Sequence, residues 1–312
     1  MKKIKITVMG SFVVDLMART PHLPVPGETV KGSFFKIGPG GKGSNQGVAA
    51  QRAGANVIMV TKIGNDDFSE IALKSFINEG IDTKLVFKDD KLSTGVALIL
   101  VDENTSENEI VVTLGACSNI TADDIEKARE DIECSSIFLT QLETNVDAVE
   151  KAINIAHNNG VKVILNPAPV QEIPTELYSK IDFFTPNEVE ASILSGVDIK
   201  NIDDARKAAQ IFIDRGTKNV IITLGSKGSL VVTPSTYEFI ESYKVKTVDT
   251  TGAGDAFNGG FATSLAEGND IFEAARFASA VAGLSVTKFG TSPAMPYREE
   301  IDRFIRSIIN LS

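Results

Sequence analysis

The sequence predicts an α/β fold built on a mainly parallel central sheet, with a small accessory sheet inserted in it. Three observations carry this reading. Short β-branched runs alternate with segments of helical period, the pattern of βα units. Several helical segments end in glycine, at Gly54, Gly80, Gly160 and Gly216, the usual C-terminal punctuation. Two stretches, 11–38 and 93–114, break the rhythm with prolines or paired strand runs and no helix.

The predicted central strands are 4–9, 56–63, 136–140, 161–165, 181–185 and 219–224. Between them the helical spacing predicts helices over 44–53, 68–79, 122–132, 146–158, 188–195 and 202–215. Residues 11–38 and 93–114 are expected to form a lid, because ligands of open α/β folds bind over the C-terminal ends of parallel strands. No internal repeat or linker divides the 312 residues, so one domain spanning 1–312 is expected.

Composition narrows the functional classes. Hydrophobic residues make up 43% and charged residues 23%, as in soluble globular proteins. The net charge of −10 (31 basic, 41 acidic) repels a phosphate backbone, so no nucleic-acid partner is expected. No run of about 18 apolar residues could span a membrane. Met1, Lys2 and Lys3 open an apolar run that Gly10, Ser11 and Asp15 break before a signal sequence forms, and Cys117 and Cys134 lack a bridge spacing. A cytoplasmic location is expected. With only His22 and His157, neither a histidine metal site nor a Ser-His-Asp triad fits.

Four motifs carry chemistry. Gly38-Pro-Gly-Gly-Lys-Gly-Ser-Asn45 reads either as a tight strand-to-helix turn or as a ligand site in which Gly41, Lys42 and Asn45 meet hydroxyls. It is not a Walker A loop. Thr185-Pro-Asn-Glu-Val-Glu190 fits a helix capping box of Asn187 and Glu190; the same pair could order water around Mg²⁺ and phosphate oxygens. Thr223-Leu-Gly-Ser-Lys-Gly228 reads as a hairpin turn or as a loop whose N–H groups and Lys227 face nucleotide phosphates.

The fourth motif, Asp249-Thr-Thr-Gly-Ala-Gly-Asp255, runs into a small-residue apolar helix. Gly252, Ala253 and Gly254 would offer N–H groups to an anion at the helix N-terminus, and Asp255 would take a hydroxyl proton. The plainer reading makes Asp255 a helix N-cap. An acid beside an anion hole points to phosphoryl transfer.

Together, GGKGSNQ, TPNEVE, TLGSKG and DTTGAGDAFNGG in this order resemble the ribokinase family of carbohydrate kinases over essentially the whole chain. Gln141-Leu-Glu143, Asn166-Pro-Ala-Pro169 and Pro296-Tyr-Arg-Glu-Glu300 are similar to ribokinases and deoxyribokinases in particular. The resemblance implies a three-layer α/β sandwich whose β lid often forms a dimer clasp, Mg-ATP as donor and the O5 hydroxyl of a pentose as acceptor. It implies sugar binding by Asp15, Gly41, Lys42, Asn45, Glu143 and Asp255. Asn187, Thr223, Gly225, Ser226, Lys227, Gly228 and Gly254 would hold nucleotide, with Ser279 near the adenine and Glu190 supporting magnesium through water. Potassium is implied beside the anion hole, near Asp249, Thr251, Ser285, Lys288 and Gly290; Ala294 stands where several relatives have serine.

One departure bears on substrate. Val13 stands where ribokinases usually carry an asparagine that meets the sugar 2-hydroxyl, and a buried hydroxyl left unpaired costs about 1 to 3 kcal/mol. Ribose, 2-deoxyribose or both are the expected substrates, with 2-deoxyribose favoured relative to the usual ribokinase. A fructokinase-like or adenosine kinase-like enzyme and a non-catalytic sugar-binding protein are the alternatives.

Overall fold

The computed structural model describes residues 4–105 and 107–309. Residues 1–3, Ser106 within the second predicted lid stretch, and residues 310–312 lie outside the described residues. The inner strands of the central sheet are apolar on both faces, the mark of a sheet covered on both sides. In the strand Ile137–Gln141, Ile137 and Leu139 enter one core while Phe138 enters the other.

In chain order the strands are β1 Lys5–Met9, β2 Val13–Thr20, β3 Phe34–Gly40, β4 Asn56–Gly64, β5 Val86–Asp89, β6 Thr94–Asp102 and β7 Asn108–Gly115. They continue with β8 Ile137–Gln141, β9 Lys162–Asn166, β10 Phe183–Phe184, β11 Asn219–Thr223, β12 Gly228–Val232 and β13 Tyr237–Glu241. The helices are α1 Lys42–Ala53, α2 Asp67–Asn78, α3 Ala122–Glu133, α4 Val146–Asn158, α5 Glu188–Ser195, α6 Ile202–Asp214, α7 Ala253–Ala266, α8 Ile271–Ser285 and α9 Arg298–Ile309.

The main sheet has nine strands in the order β13-β12-β11-β10-β9-β8-β1-β4-β5. All pairs from β11 to β5 are parallel, and β12 and β13 add an antiparallel edge. One core packs α3 to α6 on one face; the other packs α1, α2 and α7 to α9 on the opposite face. The three-layer expectation holds. A separate four-stranded sheet, β3-β2-β6-β7, is built from the two stretches that broke the βα rhythm.

Two local differences have clear causes. The strand expected over 181–185 shrinks to Phe183–Phe184: at its start Ile181 still closes the 3₁₀ turn Thr175–Lys180, its N–H donating to the Tyr178 carbonyl, and at its end Pro186 has no N–H to continue the ladder. The glycine motif is divided: Gly38 to Gly40 belong to β3, Gly41 makes the corner at φ 91°, and Lys42 already opens α1. A side chain at Gly41 would meet the Ser11 carbonyl oxygen at 2.9 Å, so the corner needs glycine on two counts.

Candidate active site

Asp255 is not a helix cap. The N-cap of α7 is Gly252, in the left-handed region at φ 78°, and Asp255 lies in the first helical turn with its side chain turned inward and buried. Its Oδ2 accepts from Asn45 Nδ2 at 3.0 Å and its Oδ1 from Gln46 Nε2 at 3.0 Å. Both donors lie on α1, which reaches α7 because small residues line the crossing. A side chain on Gly259 would meet the Ala49 Cβ at 2.5 Å and the Gln46 carbonyl oxygen at 2.6 Å.

The turn before α7 supplies the anion-receptive end. In a helix the first N–H groups lack intrahelical acceptors, which leaves those of Gly254 and Asp255 available. The Ala253 N–H is engaged with the Thr250 carbonyl at 3.2 Å. Asp249 braces this turn from outside: its two oxygens accept the N–H of Thr251 and of Gly290, each at 2.9 Å. Burial alone would raise the Asp249 carboxyl, but these N–H bonds outweigh it and hold the group below its usual range.

Around Asp255 stand the other carboxylates singled out from sequence. Glu143 Oε2 accepts from the Ser11 hydroxyl at 2.5 Å and from the Lys42 N–H at 2.9 Å, so it is fixed between β1 and α1. Asp15, on β2, approaches so closely that a Cβ on Gly40 would lie 2.1 Å from its Oδ1. Burial, and then the charge of Glu143, pushes the Asp15 carboxyl up to about 6. The Lys42 ammonium is held above its usual value, first by Asp255 and also by Glu143 and Glu190, against the effect of burial. Lys42 therefore stands among the acids expected on the sugar side and the one expected on the magnesium side.

Glu190 and Asn187 form a complete capping box at α5. The Glu190 N–H donates to Asn187 Oδ1 at 2.8 Å, and the Asn187 N–H donates to Glu190 Oε2 at 2.8 Å. The capping reading is thus realised, and it leaves the buried Glu190 facing the charges of Lys42 and Asp255, with its carboxyl raised chiefly by burial. Asn187 also bridges to Thr223, which brings the ends of β10 and β11 together.

The loop after β11 is both a hairpin connection and an open rim. Gly225, Ser226 and Lys227 are exposed in a single 3₁₀ turn between antiparallel β11 and β12. Lys227 Nζ lies 3.8 Å from Glu188 Oε1. A side chain on Gly228 would meet the Ile240 carbonyl oxygen at 2.0 Å, so this loop also depends on glycine. Ser279 is buried on α8, which packs against β12 and β13. Among the residues expected near potassium, the Ser285 hydroxyl donates to the Ala282 carbonyl and Lys288 pairs with Glu300 at 2.8 Å. Those two side chains are engaged elsewhere.

Val13 is buried at the start of β2 and alternates onto the same face as Asp15. Sequence reasoning missed Gln46, Ser11 and Ser292. Ser292 donates to Asn45 Oδ1 at 2.7 Å and so orients the amide that holds Asp255. The only available sequence signal was Gln46 beside Asn45 in the glycine motif.

Comparison with known proteins gives the family. Residues 3–298 match the family described as pfkB family carbohydrate kinase. The chain is 44% identical over 300 residues to the ribokinase of Haemophilus influenzae, covering 96% of this chain and 98% of that protein. It is 39% identical over 301 residues to the deoxyribokinase of Salmonella typhimurium, covering 96% and 98% respectively. The crystal structure of ribokinase from Thermotoga maritima matches with a TM-score of 0.88 at 36% identity, covering 97% of this chain and 99% of that one. Ribokinase of Arabidopsis thaliana complexed with ribose and ATP matches with a TM-score of 0.89 at 28% identity, covering 97% and 99%. An inward carboxylate at a glycine-capped helix, a small second sheet and these matches across nearly the full length lead to one conclusion: the chain belongs to the pfkB family of carbohydrate kinases.

Proposed function

We propose that this chain is an ATP-dependent pentose kinase that transfers the γ-phosphoryl group of ATP to the O5 hydroxyl of ribose, 2-deoxyribose or both. The observation that carries the reading is the buried Asp255 carboxylate, held on both oxygens at the mouth of a helix whose Gly254 and Asp255 N–H groups are left for an anion. In the reaction the O5 oxygen attacks the γ-phosphorus, the bond to the ADP oxygen breaks, and the hydroxyl proton passes to Asp255. Such proton acceptance is worth roughly 10²- to 10⁴-fold in rate. Gly252, Ala253 and Gly254 stabilise charge on the transferred group, and of the three only the Ala253 N–H already has an acceptor, the Thr250 carbonyl.

Asp15, Gly41, Lys42, Asn45 and Glu143 bind the sugar, while Asn187, Thr223, the 225–228 loop and Ser279 bind nucleotide. The acids Asp15, Glu143, Glu190 and Asp255 outnumber the neighbouring Lys36 and Lys42, a field that repels an uncompensated triphosphate. Magnesium fits this balance. Glu190 would hold it through water, and the ion would neutralise phosphate charge when bound. Potassium would sit by Asp249, Thr251, Ser285, Lys288 and Gly290, largely on backbone carbonyls, and would add positive charge behind the anion hole.

The small sheet acts as a lid and as a dimer surface. Strand alternation and register put Asp15 and Met17 on the site-facing side and Phe35, Ile37, Leu98 and Val111 together on the other. These four apolar side chains are 61%, 46%, 50% and 62% exposed, a patch suited to a second copy of the chain. Cytoplasmic work is consistent with free Cys117 and Cys134, and no helix among the described residues is long and apolar enough to cross a membrane.

The test is ATP consumption with ribose, 2-deoxyribose, fructose or adenosine as acceptor, in potassium or sodium, with the product phosphate located by NMR. Pentose 5-phosphate as the main product supports the reading. Preferred turnover of fructose or adenosine, or sugar binding with no phosphorylation, would refute it.

A further inference from the structure

Beneath Asp255 lies a ring of buried side chains that the proposed reaction does not use. Gln46 is its centre. Its Nε2 donates to Asp255 Oδ1 at 3.0 Å and to Asn166 Oδ1 at 3.1 Å, and its Oε1 accepts from Gln141 Nε2 at 2.7 Å. Asn166 Nδ2 then donates to the Thr185 carbonyl at 2.8 Å, the Thr185 hydroxyl donates to Asn258 Oδ1 at 2.6 Å, and Asn258 Nδ2 donates to the Gly254 carbonyl at 2.9 Å. The chain of bonds leaves Asp255 through α1, crosses the ends of β9 and β10, and returns to α7 one residue before Asp255. Gln46 is fully buried, and Gln141, Asn166, Thr185 and Asn258 are all buried with it.

The orientation of every amide in this ring follows from the charge at one end. Turning Gln46 over would set its carbonyl oxygen against the Asp255 carboxylate and against Asn166 Oδ1. Turning Gln141 over would oppose two carbonyl oxygens. Asn166 is fixed by the Thr185 carbonyl, which can only accept. The cost of the arrangement is visible at its far end, where Gln141 Oε1 is buried without a hydrogen-bond partner. A buried acceptor left unpaired is expensive, so a purely structural ring gains nothing from this polarity.

We infer that Gln46 is a positioning residue for the proposed base: it fixes the rotamer of Asp255 and ties it to the Gly254 turn. The inference rests on the reading of Asp255 as proton acceptor. Asn45, oriented by Ser292, does the same for the second oxygen, so the carboxylate is gripped on both sides before any sugar arrives. The charged groups that face Asp255 are Lys42 on α1, Asp15 on β2 and Glu190 on α5. None of them belongs to the ring, so a change in Gln46 leaves their charges in place.

The experiment compares Gln46→Leu, Gln141→Met and Asp255→Asn with the unaltered enzyme. The readouts are kcat, KM for sugar and ATP, and the thermal unfolding midpoint. Losing one of two donors leaves the carboxylate free to turn out of the geometry in which it meets the hydroxyl. Gln46→Leu should therefore lower kcat about 10-fold or more. KM for both substrates should stay within about 2-fold, a split that a merely structural role would not give. Gln141→Met, which leaves the Asp255 contact intact but frees the far side of Gln46, should lower kcat by less. A wild-type kcat in Gln46→Leu, whatever its unfolding temperature, would overturn the inference. If Gln46→Leu does not fold, a wild-type kcat in Gln141→Met overturns it instead. Asp255→Asn turning over at the wild-type rate would mark a failure of the proposed base itself, a result separable from either.

Discussion

The proposed acceptor side and the proposed donor side of the site are built differently. Asp255, Asn45 and Gln46 are buried, each held by two or three side-chain hydrogen bonds, and they lie where two helices touch through Gly259 and Ala49. Asn187, Gly225, Ser226 and Lys227 lie on an exposed rim, where Asn187 bonds its own capping box and Lys227 pairs with Glu188 at 3.8 Å. The contrast teaches where preorganisation is needed. A base must be held within a fraction of an ångström of a hydroxyl, whereas a polyphosphate brings its own charge and can order a loop as it binds.

Removing the carboxylate should break the contrast most severely. Asp255→Ala should lower kcat by about 10² to 10⁴ while sugar still binds, as measured by steady-state rates and calorimetry. A variant that keeps ATP-dependent phosphorylation would contradict the assigned role.

Asp15 comes next, because its carboxyl is held at about 6 against a usual 3.8. The folded state therefore holds an extra proton between these values, and stability falls as pH rises from about 4 to about 6. Asp15→Asn removes the buried charge. Its unfolding midpoint should exceed that of wild type at pH 8, with the gain shrinking by pH 5. The same change should raise the sugar KM about 10-fold at pH 8, and the wild-type sugar KM should climb as pH drops below about 6. A midpoint difference that does not depend on pH would show that Asp15 is not under this strain.

Val13→Asn sharpens the acceptor side without loosening it. Restoring a partner for the 2-hydroxyl should shift the kcat/KM ratio toward ribose over 2-deoxyribose by about 5- to 150-fold, the effect of about 1 to 3 kcal/mol. An unchanged ratio would remove Val13 from the account of specificity. On the donor side, Lys227→Ala should leave the unfolding midpoint within about a degree, since exposed pairs contribute little, and raise the ATP KM only a few-fold. A large loss of stability there would mean that the rim is as rigid as the acceptor side.

Much of this arrangement was legible in the residues. Six parallel strands, the six helices between them and the inserted second sheet followed from short-range periodicity and glycine punctuation, whereas the edge strands β5 and β13 and the helices α8 and α9 were not among the predicted elements. The capping box of Asn187 and Glu190 was equally local, three residues apart. The hold on Asp255 was not legible. Gln46 and Asp255 lie 209 positions apart, and Ser292 and Asn45 lie 247 apart. No spacing rule reaches across such distances.

By itself the sequence determined which residues could do chemistry: an acid after a glycine turn, a lysine and an asparagine after a glycine corner, and an apolar Val13 where a hydroxyl partner could stand. Those signals are local because backbone conformation is set by neighbours. Only the tertiary structure decided that Asp255 faces inward as a held carboxylate and not outward as a cap. The deciding contact is the close crossing of α1 and α7, which their small residues permit and which packing across the whole domain enforces.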